Sequence, residues 1–269
     1  MRLIKNRNGT IPFRFFNISL MPAPPPSKSP DMTFRHLETL PQAGLPEWQH
    51  HQFRADICRF HTLGGVLDFQ QFAYTTAADG EAERREYHLQ TANHTLHAVI
   101  AECNEQAAER AAEHRLPAPP PLTRFFSLQA DMGRKISAQR FYGNQLDLRY
   151  NRLIIRGQGS QSGRFLYHDS ETDADRAIAP NALDTAFCHA FLNPSYPPRF
   201  GHSARETGQY FLDFCRRLFG NPADIEAYEW NTDCSDYFDD GREWWGTYFW
   251  TVYSPQNGLY TGIMGSATD

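Results

Sequence analysis

At 269 residues, with 41% hydrophobic and 14% aromatic content, the chain suffices for one large domain or two small ones and is too aromatic for a disordered protein. Its formal net charge of −5 is uneven, since residues 1–35 hold six basic groups and one acid while the remainder carries an excess of ten acids. That balance excludes a general nucleic-acid binder, because phosphates need neutralising by lysine and arginine, and it favours a basic protein or cationic ligand as partner.

Residues 1–31 read as an extended arm, with Pro22, Pro24, Pro25, Pro26 and Pro30 barring helix or central strand, and Met21 or Met32 as alternative starts. The basic beginning and the apolar run Phe15–Leu20 match a signal peptide poorly, because Asn17 interrupts a run that is already short. No apolar stretch approaches the roughly 18 residues of a membrane span. Five cysteines, odd in number and without a C-x-x-C pair, argue against a disulfide framework and a structural zinc. A reducing, cytoplasmic setting is expected.

From Pro46 to Phe60 the pattern fits two structures: Phe53, Ile57 and Phe60 have helical spacing, while Phe53, Ala55 and Ile57 alternate. Gly64-Gly65 ends that element, and Val66–Tyr74 reads as a strand. Glu81–Arg115 is helical, with Leu89, Leu96, Val99, Ile100 and Cys103 as its apolar side and a break expected near Asn93. The run Leu116–Pro121 stops it and divides a helix-rich part, 32–116, from an α+β part, 122–269, although 32–269 also reads as one domain.

Beyond the prolines, strands are expected at Arg124–Leu128, Lys135–Tyr142, Leu146–Arg156 and Arg164–His168. A helix follows from Asn181 as N-cap to Asn193. A second opens with the capping box Ser203–Glu206 and ends at Gly220, burying Tyr210, Phe211, Phe214, Cys215 and Leu218. The tail gives strands Ile225–Trp230, Trp245–Tyr253 and Leu259–Met264, the last two joined at Gln256-Asn257-Gly258. The fold class is therefore α+β: a mainly antiparallel sheet with helices packed on one face and a more helical N-terminal part.

Between the first two tail strands lies a long loop, Asn231–Gly246, and long loops in compact domains are functional or disordered. Four of the five tryptophans and nine carboxylates fall in residues 221–269, with Arg242 the only basic group. The candidate ligand-binding residues are Trp230, Asp233, Asp236, Asp239, Asp240, Glu243, Trp244 and Trp245. Carboxylates beside tryptophans suit a sugar, an amine or a cationic side chain, and paired carboxylates suit acid–base hydrolysis.

Other constellations carry less. An EF-hand placed on Gly241 fails at Phe238 and Thr247, and one placed on Asp169–Asp175 fails at Ala174 and Pro180. His94 and His97 share a helix side without a metal-binding helper, so no metal site is read. Cys188 sits among phenylalanines and Cys234 among acids that disfavour a thiolate. Gly157, Gly159 and Gly163 lack dinucleotide spacing, and no cofactor is implied. The residues point first to a non-catalytic binding protein of inhibitor or immunity type with a basic partner, and second to a hydrolase using the same carboxylates. Ser203→Ala should cost about 1 kcal/mol in urea denaturation by uncapping its helix; an unchanged midpoint would move that helix start.

Overall fold

The computed structural model describes residues 34–36, 47–74, 78–150, 152–156, 165–169, 176–178, 186–196, 198–243 and 245–267. The arm 1–31, Asn181, the glycines at 157, 159 and 163, most of the acidic run after Asp169, and Trp244 lie outside the described residues. The fold is α+β, and every ladder among the described strands is antiparallel.

Strand β1 is Phe34–His36, helix α1 is Glu47–Thr62, β2 is Asp68–Tyr74 and α2 is Glu81–Glu113. In α1 the helical reading wins over alternation, since Phe53, Ile57 and Phe60 are buried and Ala55 is exposed. Helix α2 runs unbroken through Asn93. The side chain of Asn93 neither caps nor bends it but reaches a neighbouring segment: its Oδ1 accepts from Leu128 N–H at 2.7 Å and its Nδ2 donates to Leu128 O at 3.2 Å. Asn104 holds Leu122 in the same way, at 2.7 and 3.1 Å. Eleven residues are about three helical turns, so the two amides share one side of α2 and grip the chain of residues 122–128 as it runs back along it. Leu122, Phe125 and Leu128, at intervals of three, pack against the helix.

The expected strand Arg124–Leu128 is therefore an extended strap, with one isolated bridge between Phe125 and Ser235. Lys135–Tyr142 divides into β3, Gly133–Ile136, and helix α3, Ala138–Tyr142. Ser137 makes the change by accepting from Arg140 N–H as an N-cap. Leu146–Arg156 likewise divides into β4, Leu146–Asp147, and β5, Arg152–Arg156. There Asp147 Oδ1 accepts from the N–H groups of Arg149 and Tyr150 and closes a turn. Strands β6, Phe165–Asp169, and β7, Arg176–Ile178, complete a sheet ordered β4-β5-β6-β7.

Helix α4 is Phe187–Leu192 and α5 is Ala204–Phe219. Ser203 caps α5 as expected, accepting from Glu206 N–H, but the Glu206 carboxylate reaches one residue further back to His202 N–H. Strands β8, Glu226–Trp230, β9, Thr247–Ser254, and β10, Leu259–Ser266, join the main sheet in the order β1-β2-β10-β9-β8-β3. The proline run thus links two parts that share one sheet, because β2 pairs with β10.

Both faces of that sheet are covered, and the side chains of β9 alternate accordingly. Tyr248, Trp250 and Val252 meet α1, α4 and α5 in a phenylalanine-rich core, while Phe249 lies in a second cluster with Leu96, Val99 and Ile100 of α2. Helix α2 approaches β10 closely at Gly262, where a Cβ would stand 1.8 Å from Thr95 Oγ1. Asn93→Ala should cost about 1–3 kcal/mol, because both backbone groups of buried Leu128 lose their partners. Asn104→Ala should cost less, since Leu122 is only half-buried. Equal urea midpoints for Asn93→Ala and the wild type would show that the strap is held by its side chains alone.

Candidate functional site

Strands β8 and β9 stay paired from Glu226 with Tyr253 to Glu229 with Trp250, and the acidic loop leaves the sheet just beyond. It is built of three single 3-10 turns, Thr232–Cys234, Asp236–Phe238 and Asp240–Glu243. Asn231 Oδ1 accepts from Asp233 N–H and Ser235 Oγ accepts from Tyr237 N–H, the side-chain turns that these residue types favour. Cys234 and Phe238 are buried, and the Tyr237 hydroxyl donates to Asp68 Oδ2 at 2.8 Å. The loop is an ordered platform packed on the α2 side of the sheet.

Its carboxylates divide by environment. Asp236 is mostly covered, at 15% side-chain exposure, and accepts from Arg124 N–H at 3.3 Å. The Arg124 guanidinium stands 3.7 Å from Asp236 and donates to Asp239 at 2.7 Å while remaining 77% exposed. Backbone bonds fix this meeting of strap and loop: Phe126 N–H donates to Cys234 O and Asp236 N–H to Arg124 O. Asp233 pairs with Arg242 at 2.5 Å. Asp240 and Glu243 are exposed on the last turn. A shallow depression of about 370 Å³ opens between strap and loop, lined by Arg124, Phe125, Phe126, Asp233, Asp236 and Asp239.

Trp230 and Trp245 are engaged elsewhere than with these acids. Trp230 is buried with its ring over Gly133, where a Cβ would lie 2.3 Å away, and its indole donates to Thr251 Oγ1 at 2.9 Å. Trp245 is half-buried, donates to Asn193 O at 2.9 Å and meets Tyr248 edge-on. The aromatic side chain displayed beside the carboxylates is instead Phe126, 51% exposed. No family profile, curated protein or solved structure matches this chain.

A second polar grouping lies under α2. His88 Nδ1 stands 2.8 Å from Thr251 Oγ1, and its Nε2 is 3.8 Å from Glu226 Oε1. Thr251 Oγ1 thus joins the imidazole to the Trp230 indole, which donates to the same oxygen. Hydroxyl, imidazole and carboxylate are the components of a nucleophilic relay, yet Thr251 and His88 have no solvent exposure for a substrate to reach. Burial, reinforced by Lys135 and Arg84, pushes His88 down to about 3, so the ring is neutral at pH 7. Cys234 is pushed up to about 11, chiefly by burial with Asp233 adding to it.

His94 and His97 are exposed and face different neighbours, Phe72 and Phe125. Among the described residues no group of three His, Cys, Asp or Glu side chains is placed to hold a metal ion, and no helix is long and apolar enough to cross a membrane. Periodicity could have found His88, which lies on the stripe it shares with Ala92, Leu96 and Val99. Nothing in the spacing of Arg124 and Phe126 ties them to a loop more than a hundred residues later.

A histidine depressed on folding contributes stability that is complete above its unfolded value near 6.5. That stability is lost as pH falls towards about 3, with a slope approaching about 1.4 kcal/mol per pH unit. Urea midpoints of wild type and His88→Gln at pH 7, 6 and 5 should therefore converge as the pH falls. A gap between them that is independent of pH would assign the acid sensitivity to other groups.

Proposed function

We propose that the protein is a non-catalytic binding protein whose acidic loop engages a basic partner or cationic ligand, in the manner of an inhibitor or immunity-type protein. The observation that carries this reading is the convergence of Asp236 and Asp239 on the exposed guanidinium of Arg124. The loop already holds one cationic side chain at the surface, supplied from its own strap. The loop carries five carboxylates against one arginine of its own, so its surface attracts cations even with Arg124 beside it. Phe126 beside them adds the apolar contact that a lysine or arginine stem needs.

The hydrolase alternative has less support. Asp233, Asp236 and Asp239 are each engaged with an arginine, and the depression beside them is shallow, with no enclosed pocket for a substrate. The cytoplasmic part of the reading rests on the odd number and wide spacing of the five cysteines in the sequence.

The test is anisotropy with a labelled arginine-rich peptide. Asp236 is partly structural, so the informative variant is Asp239→Asn/Asp240→Asn/Glu243→Gln, with neutralised Glu105, Glu109 and Glu113 on exposed α2 as a control of equal charge. The loop variant should bind at least about tenfold more weakly with an unchanged melting temperature. Wild-type affinity should fall steeply between about 50 and about 200 mM salt. Equal losses in the loop variant and the α2 control would reduce the effect to net charge and overturn the reading.

A further inference from the structure

We infer that residues Leu116–Pro121 are a docking rod for a partner that reads polyproline II helix through an aromatic groove. The conformation is dictated by the sequence Leu-Pro-Ala-Pro-Pro-Pro. Each proline fixes its own φ, and Leu116, Ala118, Pro119 and Pro120 each precede a proline and are held in the extended region. Six residues at about 3.1 Å each make a rod of about 19 Å, or two turns.

Both ends are tied to the folded body. At the first, Arg115 adopts φ 53° and turns the chain off α2, with Arg115 N–H donating to Ala112 O and Leu116 N–H to Ala111 O. At the second, the Asn104 amide grips Leu122 by both backbone groups. Between these anchors the rod stands free: residues 112–121 are all exposed, and no donor among the described residues holds a carbonyl of 116–121. Proline-reading grooves offer the complementary chemistry, aromatic faces for the rings and indole or phenol donors for the carbonyls. Because the rod is ordered before it binds, little conformational entropy remains to be lost on docking.

The distribution of exposed apolar surface supports this assignment. Four large hydrophobic side chains are exposed among the described residues; Leu116, at 51%, is the first residue of the rod, and Phe126, also at 51%, lies five residues beyond its end. The rod is a separate surface from the acidic loop, since it is uncharged from Leu116 to Thr123. Its binding should therefore respond weakly to salt, whereas binding to the loop should respond strongly.

The experiment titrates the full chain into isotope-labelled SH3, WW and EVH1 domains and follows the resonances of their groove aromatics. At least one domain should bind with a Kd below about 1 mM. Pro119→Ala/Pro120→Ala/Pro121→Ala should weaken that binding at least about tenfold while melting as the wild type does, and the loop variant Asp239→Asn/Asp240→Asn/Glu243→Gln should bind as the wild type. If the alanine variant loses its cooperative melt, a synthetic peptide of residues 115–122 must displace the wild-type chain from the domain. No binding below about 1 mM by any of the three domains, undiminished binding by the alanine variant, or failure of the peptide to compete would overturn the inference.

Discussion

Residue 262 has no side chain, and the long helix α2 occupies the space where one would be. With Thr95 Oγ1 at 1.8 Å from the Cβ that Gly262 lacks, helix and sheet meet at nearly backbone distance. Leucine does not fit at such a contact, so its centre is small and polar. Thr91 and Thr95 are fully buried, and Thr95 returns its hydroxyl proton to Thr91 O at 2.7 Å. The larger residues Leu96, Val99 and Ile100 pack where the surfaces diverge. A helix seated this way has one register on the sheet, because a shift by one residue would drive a bulkier side chain into β10. Everything hung from α2 inherits that register.

The strap is the first thing hung from it. Asn93 and Asn104 fix Leu128 and Leu122, and those positions deliver Arg124 to the acidic loop. The loop meets the strap halfway, anchored inward by Cys234 and Phe238 and tied by backbone bonds at Phe126 and Asp236. Its carboxylates range from covered Asp236 to exposed Asp240 and Glu243. The proposed charge-reading and proline-reading surfaces adjoin at Arg124–Phe126, so a single partner carrying basic groups beside an aromatic groove could span both.

Local signals carried much of the architecture. Ser203, Gly220 and the Tyr210–Leu218 stripe marked α5 because capping and period act within a few residues of each other. Gly258 marked the final hairpin through its positive φ of 67°. The misreadings share one cause, which is that a polar side chain served a purpose its neighbours could not reveal. Asn93 reads as a helix breaker until Leu128 is beside it, and Ser137 reads as a strand residue until its hydroxyl caps α3. Of the candidate tryptophans, Trp230 is buried and Trp245 donates to Asn193 O, while Trp244 lies outside the described residues. Tertiary neighbours assign those roles, and a linear pattern does not contain them.

The pairing of β2 with β10 has a kinetic consequence. Gln71 and Thr261 touch across a separation of 190 residues, near the centre of the main sheet. During synthesis, β2 and the buried stripe of α2 emerge long before the strand that covers them, and closing so long a loop is entropically slow. The nascent chain thus carries an uncovered apolar helix and an unpaired strand until Leu259–Met264 have left the ribosome. A released chain truncated before residue 259 would carry the acidic loop without the strand β10 that completes its sheet. Such fragments should be substrates for chaperones and proteases.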